Sequence, residues 1–589
     1  MSAEKLITDH IDIWTSAVQA KSASGRGSSK KRELYGIKKL RELILELAVR
    51  GKLVPQDPND EPASVLLERI AAEKAQLVKE KKLKKPNKLP EISEKDKLFE
   101  LPDGWEFVRW GQIAYWAIGS GFPKTAQGES GNSILFSKVS DMNLPGNERY
   151  IKTTINTISE DVAAKIKAKL HPQGTVIFPK IGGAIATNKR RILTRDTAID
   201  NNCLGLIPSI GITSDFLYLV LSKTDLVAYQ AGTSVPALSQ STLELILAAL
   251  PPIKEQHRIV AKVDELMALC DQLEQQTEAS LDAHQVLVET LMATLTNSQD
   301  ATELIVNWAR ISEHFDTLFT TEQSIDQLKQ TILQLAVMGK LVPQDPTDEP
   351  AAKLLERIAI EKAQLVKENK IKKQKALPPI AEDEKPFELP KGWEWCRFED
   401  VVEIHSGITK GRKLASRELK TIPYLSVANV QRGYLNLENV KEIDLPIDEL
   451  EKYAVNEGDL LITEGGDWDK VGRTAIWRSE VPYMAHQNHV FKARPYLSEQ
   501  SEIWLEMYLN GPFARDYFAG SSKQTTNLAS INKTQLRSCL IAVPPNGEKQ
   551  RITKKVQELM EMSKQLQERI AVCQQTQLQL TDAIIEQPL

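Results

Sequence analysis

The chain has 589 residues, 41% of them hydrophobic, and a formal charge of −4, which is the length of several domains and an ordinary soluble composition. The charge excludes a generic basic coat, so any nucleic-acid contact has to come from local patches or partners. MSAEKLITDHIDIW carries charges where a signal peptide needs an apolar core, and no apolar run is long enough to span a bilayer. Five scattered cysteines (Cys203, Cys270, Cys396, Cys539, Cys573) form no paired framework. Together these features predict a cytoplasmic protein with reduced thiols and no membrane contact.

In chain order, residues 1–103 read as helical, with a flexible interruption at KSASGRGSSKKR. Ile37, Leu40, Ile44 and Leu47 recur at three and four residues and mark one apolar face. Gly51 suits the left-handed position that ends a helix. Pro55 and Pro58 prevent its resumption, and Pro62 fits the first turn of the next helix. Residues 104–252 mix strand-like runs such as GTVIFP and NCLGLIP with glycine turns. Residues 253–391 return to helix, residues 392–545 are mixed again with GDLLIT and VFKARPY as strands, and residues 546–589 form a closing helix.

The second half repeats the first. GKLVPQDPNDEPA from Gly51 returns as GKLVPQDPTDEPA from Gly339, 339 − 51 = 288 residues on. IKKLRELILELAV matches IDQLKQTILQLAV, LLERIAAEKAQLVKE matches LLERIAIEKAQLVKE, and FELPDGW matches FELPKGW in the same register. Ile325, Leu328, Ile332 and Leu335 repeat the apolar face, and Pro350 repeats Pro62. The phrase is a helix–corner–helix joint, present twice.

Each mixed region runs into a long helix. Ile259, Val263, Leu266, Cys270, Leu273, Thr277 and Ser280 form one seam. Ile552, Val556, Leu559, Ser563, Leu566, Ile570 and Cys573 form the other. Some 40 residues of helix measure about 60 Å. The economical arrangement pairs the two helices antiparallel, with one mixed domain at each end; the alternative packs each helix on its own domain alone. The mixed domains agree only in outline. SGFPK stands beside SGITK, ILFSKVSDMN beside IPYLSVANVQ, and GTVIFPKIGG beside GDLLITEGG. Each closes on a double proline before a charged helix start, LPPIKEQHRI and VPPNGEKQRI. A constant scaffold with two divergent heads suits two unlike pieces of one ligand.

The paired SGxxK openings, the PPxxEQxRI-like helix starts and the duplicated joints resemble the specificity subunits of type I restriction–modification enzymes, over essentially the whole chain. The duplicated LVPQDP corner looks like the subgroup typified by the EcoAI enzymes. The resemblance implies an α+β fold: two globular mixed α/β target-recognition domains (104–252 and 392–545) joined by two long antiparallel helices in a coiled coil. Conserved helical regions at 1–103, 253–391 and 546–589 complete a pseudo-twofold internal repeat. It further implies a non-catalytic subunit that reads a bipartite sequence in double-stranded DNA, one half-site per domain across an unread spacer. Two methyltransferase subunits would dock on the helices and restriction subunits would join them. Those partners would supply S-adenosylmethionine, ATP and Mg, with no cofactor on this chain. The second helix start, GEKQRI, departs from the EQHRI order, which puts equal docking at the two sites in doubt.

Base edges in the major groove are best distinguished by Arg or Lys for guanine and by Asn or Gln for adenine. Such residues cluster beside glycine turns in the diverged domains. The first offers Lys124, Asn188, Lys189, Arg190 and Arg191. The second offers Lys410, Arg412, Lys413, Asn429, Gln431, Arg432, Lys470, Arg473, Lys523, Gln524 and Asn527. Taken singly, each reads first as a solvated surface charge, and it is the set, beside glycine turns in diverged domains, that carries the reading. The runs KEKKLKKPNK and KENKIKKQKA belong to the duplicated scaffold and could grip spacer phosphates, or simply end a helix in solvent.

Catalytic readings fare worse. GSGFPKT puts Pro123 where a phosphate loop needs glycine before its lysine. LPPI and VPPN lack the residues that adenine methyltransferases set around a flipped base. His486 and His489, three apart in a strand-like run, face opposite sides and form no metal pair. No nucleophile–base constellation stands out. The remaining alternatives are a coiled-coil scaffold for protein partners without DNA reading, and an enzyme whose site is not legible.

Overall fold

The computed structural model describes residues 3–20, 32–83, 88–97, 99–232, 235–299, 301–412, 414, 417–466, 470–525 and 528–586. Residues 21–31, which hold most of the expected flexible interruption, lie outside them. The chain divides into two compact units, Met1–Ala279 with Cys573–Leu589, and Ser280–Val572.

In the first unit, the expected face of helix Tyr35–Val49 is buried at Ile37, Leu40, Ile44 and Leu47. The corner follows because Gly51 takes φ +70°, which costs a residue without Cβ nothing. The site is also closed in space: a Cβ there would lie 2.5 Å from Pro102 Cγ and 2.9 Å from Trp105 Cζ2. Helix Ala63–Lys79 then starts one residue after Pro62. The corner is fastened to the long helix Ile253–Thr296 by Arg258 Nη2 on Asp60 Oδ2 at 2.7 Å. Along that helix Ile259, Val263, Leu266, Cys270 and Leu273 are buried, whereas Thr277 is half-buried and Ser280 exposed. The terminal residues of the last helix contribute buried Thr581 and Ile584 to this unit, and Tyr35 Oη donates to Asp582 Oδ1 at 2.7 Å.

The head of this unit hangs on a two-stranded antiparallel ribbon, in which Glu106–Arg109 pairs with Leu247–Leu250. Between these strands lie a short ribbon, which pairs Gln230–Ala231 with Ala237–Leu238, and two larger sheets. One has the order Ala114–Ile118, Cys203–Pro208, Val176–Pro179, Arg191–Leu193, Tyr150–Ile151. The other has the order Asn156–Ile158, Ile134–Ser137, Thr197–Ile199, Leu170–His171. Alternation sends Leu135 and Ile199 into one core with Ile177 and Cys203, and Phe136 and Ala198 into another with Ile158.

The second unit repeats these choices. Helix Glu322–Val337 buries Ile325, Leu328, Ile332 and Leu335, and Gly339 has φ +68°. A Cβ on Gly339 would meet Pro390 Cγ at 2.6 Å and Trp393 Cζ2 at 2.8 Å. Arg551 Nη2 binds Asp348 Oδ2 at 2.7 Å. The ribbon here pairs Glu394–Arg397 with Leu540–Val543. The main sheet runs Val402–His405, Val490–Pro495, Leu460–Thr463, Thr474–Ile476, and the second runs Lys441–Pro446, Leu419–Leu425, Ala485–His486. Val288, Met292 and Leu295 of the first long helix pack in this unit with Leu304, Ile311 and Phe319. The last helix, Asn546–Glu586, buries Ile552, Val556 and Ser563 here, with Leu559, Leu566 and Ile570 half-buried. Cys573 is exposed, and the other four cysteines are buried, unpaired thiols.

The second helix start keeps the geometry of the first despite its changed order. Glu255 and Glu548 accept the indole N–H of Trp105 and Trp393, each at 3.0 Å. The difference falls on the next residue, which is fully buried in both units. Gln256 accepts from Thr213 N at 3.0 Å, and Lys549 Nζ donates to Glu499 O at 2.8 Å.

Candidate nucleic-acid interface

The sheet registers give the two heads a common frame. Val176 pairs with Leu206 and Ile192, and Leu460 pairs with Ala493 and Ile476. Lys189 and Arg473, each three residues before the paired isoleucine, therefore occupy the same place. The loops after Ile134–Ser137 and Leu419–Leu425 face them. Lys189 Nζ donates to Asn143 Oδ1, and Arg473 Nη1 donates to Gln431 Oε1 at 2.7 Å. Each head thus joins a cation from its central hairpin to an exposed or half-exposed amide from a loop. Both partners are of the types that read guanine and adenine edges.

A second matched position carries opposite charge. Lys180 N donates to Asn202 O at 2.8 Å, and Glu464 N donates to His489 O at 2.9 Å. The Glu464 carboxylate in turn lies 2.5 Å from His489 Nδ1. A carboxylate in a groove accepts from the cytosine amino group, which lysine cannot do. Asn143, Lys180, Asn202 and Glu464 are absent from the residues chosen on sequence. The signal was available, since ILFSKVSDMN against IPYLSVANVQ sets Asn143 opposite Gln431, and GTVIFPK against GDLLITE sets Lys180 opposite Glu464.

Two expected contacts require correction. Arg190 is 1% exposed. Its Nε donates to Leu221 O at 3.2 Å and its Nη1 to Lys189 O at 2.9 Å, and the guanidinium lies over the Phe178 ring at 5.5 Å. Burial pulls its pKa down to about 10. The side chain is a core strut, out of reach of a duplex. Asn429 is likewise 3% exposed. Its Oδ1 accepts from Ser426 N at 2.9 Å and Ser426 Oγ at 2.7 Å, and its Nδ2 donates to Asn436 O at 2.9 Å. Asp141, 288 residues earlier, does the same work, accepting from Lys138 N at 2.7 Å and Ile155 N at 2.9 Å. Both fix the loop that presents the amide two residues later.

Lys124 is exposed on the single turn Lys124–Ala126, and Asn188 is exposed at φ +50° with its Nδ2 on Ser222 O at 2.9 Å. Arg191 is half-buried and holds the amide-bearing loop through Nη2 on Met142 O at 2.6 Å. In the second head, Lys410 is exposed with its ammonium 4.9 Å from the Tyr424 ring centre, and Arg432 and Lys470 are half-buried. Arg412 Nη1 binds Glu449 Oε2 at 2.8 Å, and Arg417 Nη1 binds the other oxygen at 2.7 Å. The Arg417 bond, with Arg412 adding to it, holds the Glu449 carboxyl below the usual range against its partial burial. Lys523 and Gln524 lie in the strand Lys523–Thr525, while Lys413 and Asn527 lie outside the described residues.

His486 is buried with Nδ1 on Val490 O at 2.7 Å, and burial pulls its pKa down to about 4; His489 is exposed. Among the described residues no group of three His, Cys, Asp or Glu could hold a metal, and no helix is long and apolar enough to cross a membrane.

Comparison with known proteins bears on both heads. The family model described as "Type I restriction modification DNA specificity domain" matches twice, over residues 102–283 and 390–572. The chain is 45% identical over 608 aligned residues to the EcoAI specificity subunit, a type I restriction enzyme subunit of Escherichia coli, covering 100% of this chain and 99% of that one. It is 43% identical over 610 residues to the EcoEI specificity subunit of Escherichia coli, covering 100% of both. The crystal structure of the HsdS subunit from Thermoanaerobacter tengcongensis aligns at 18% identity and a TM-score of 0.40, over 83% of this chain and 97% of that chain. By the double match and the full-length identities, the chain belongs to the family of type I restriction–modification DNA specificity proteins.

Proposed function

We propose that this chain is the DNA-recognition subunit of a type I restriction–modification complex and reads a bipartite duplex sequence, one half-site per head. The observation that carries the reading is the double match of the specificity domain, with a cation–amide pair at the same register of both matched segments. Lys189 with Asn143 and Arg473 with Gln431 supply bidentate donors and acceptors of different length. Lys180 against Glu464 gives the two heads opposite preferences at a second position. Unlike half-sites follow from a like frame.

The two long helices, of 44 and 41 residues, pair antiparallel as a coiled coil in this reading. Their length fixes the spacer between half-sites, at about 1.5 Å per residue. They also dock two methyltransferase subunits, which bring S-adenosylmethionine and extrude the target adenine. Restriction subunits bring ATP and Mg, and this chain performs no chemistry. The complex works in the cytoplasm on double-stranded DNA.

The test is selection from a randomised duplex pool by the full chain assembled with its modification subunits. Enrichment of two fixed blocks at constant spacing is the expected result. A protein scaffold that reads no DNA would enrich nothing, and that outcome overturns the proposal.

A further inference from the structure

The basic run KENKIKKQKA belongs to the duplicated scaffold, and in the second unit it lines a hollow. Two cavities of about 420 and 490 Å³ share Lys362, Lys372 and Tyr496 in their walls. The larger is faced by six cations: Lys362, Lys370, Lys372, Lys452, Lys533 and Arg537. Of its two carboxylates, Glu399 pairs with Arg537, and Glu403 lies 3.0 Å from His405 Nε2. Asp400, in the smaller cavity, lies 3.6 Å from Lys362. The Lys533 side chain is half-buried, and no hydrogen bond or ion pair joins its ammonium to a described residue. Burial, with Arg537 beside it, holds its ammonium below the usual lysine range despite Glu403. A cation held partly out of water and left unpaired is costly unless an anion joins it.

The first head shows what this position looks like without that charge. The pairings Leu247 with Arg109 and Leu540 with Arg397 set the register. Gln240 then stands where Lys533 stands, and Glu244 where Arg537 stands, with Gln240 Nε2 donating to Glu244 Oε1 at 2.8 Å. The same ribbon and helix therefore persist with neutral and acidic residues, so the fold does not require the cations. Ser406 and Gly407, which open the SGITK loop carrying Lys410, also line the larger cavity.

We infer that this hollow is a sequence-independent phosphate seat, taking a backbone phosphate of duplex DNA beside the half-site of the second head. The inference rests on the recognition reading above. It makes the grip on the two half-sites unequal, with the second head holding backbone that the first does not hold in the same way.

The experiment measures duplex affinity against salt for the complex carrying wild type, Lys533→Gln, Lys533→Arg or the double change Lys533→Gln with Lys372→Gln. Each lost phosphate contact lowers the slope of log K against log salt by about 0.9, and lowers affinity roughly 5- to 10-fold near 0.1 M salt. The loss should be equal for target and non-target duplexes, and K533R should restore both slope and affinity. An unchanged slope in the double variant overturns the seat, as does a loss confined to the target sequence. If millimolar inorganic phosphate or a mononucleotide, rather than duplex, protects Lys533 from amine-reactive labelling, the seat belongs to a free ligand and the backbone assignment falls. A wild-type complex that binds no duplex sinks the recognition reading instead, which keeps the two failures apart.

Discussion

Trp393 Nε1 donates to Glu548 Oε2 at 3.0 Å, joining the residue before the first strand of the second head to the first turn of the helix that leaves it. The same indole packs against the corner glycine, Gly339. Trp105, Glu255 and Gly51 repeat the arrangement in the first unit. Burial raises both carboxyls above their ordinary range while the indole N–H works against it. Replacing either tryptophan with phenylalanine removes the donor and keeps most of the packing. We expect W105F or W393F to cost about 1–3 kcal/mol, read as a lower urea midpoint with an unchanged slope.

The corner itself admits no side chain. Gly51→Ala and Gly339→Ala each set a Cβ at positive φ and within 2.6 Å of a proline ring carbon. Strain and contact together should cost more than about 1 kcal/mol at each site. Thermal unfolding of the single variants measures this, and an alanine that melts with wild type would refute the steric account.

Arg190 and Lys189 are adjacent in sequence and opposite in role. Arg190→Met should lower stability by roughly 1–3 kcal/mol, because Leu221 O and Lys189 O lose a buried donor, and should leave the selected half-sites as they were. Lys189→Ala should leave stability within about 0.5 kcal/mol, and weaken the first block by ~1–3 kcal/mol while sparing the second. Arg473→Ala should do the converse. Selection from the same duplex pool reports all three.

Glu506 gives the second unit a pH dependence. Burial pushes its pKa from 4.5 up to about 7, against the stabilising hydrogen bond from Ile476 N at 3.0 Å. Between those values the folded chain keeps a proton that the unfolded chain has released. Stability is therefore full below about pH 4.5 and falls as pH rises through 7, by at most ~3 kcal/mol from this group. Glu506→Gln should flatten that part of the profile and raise stability at pH 8. Denaturant titrations at pH 5, 6.5 and 8 would show it.

The scaffold was legible because helices announce themselves locally. The three-and-four spacing of Ile37 through Leu47 is a property of adjacent turns, and burial followed it. The long seam held as far as Leu273. Beyond it, within the second unit, the buried positions are Val288, Met292 and Leu295, because Leu304, Ile311 and Phe319 of the same unit share their core. Periodicity within one segment carries no mark of such neighbours. The heads were harder for a related reason. Arg190 and Asn429 have the side chains of base readers, and only the long-range positions of Phe178, Leu221 and Asn436 turn them inward. Lys189 and Arg473 look no different in sequence and point instead to the exposed Asn143 and the half-exposed Gln431.

Each head begins and ends on one antiparallel ribbon, Glu106–Arg109 with Leu247–Leu250 and Glu394–Arg397 with Leu540–Val543. Chain enters and departs side by side, so what lies between can change in sequence and length without moving the stem. The strands that hold a head are therefore indifferent to what that head has become, which is why two unlike heads stand on like stems.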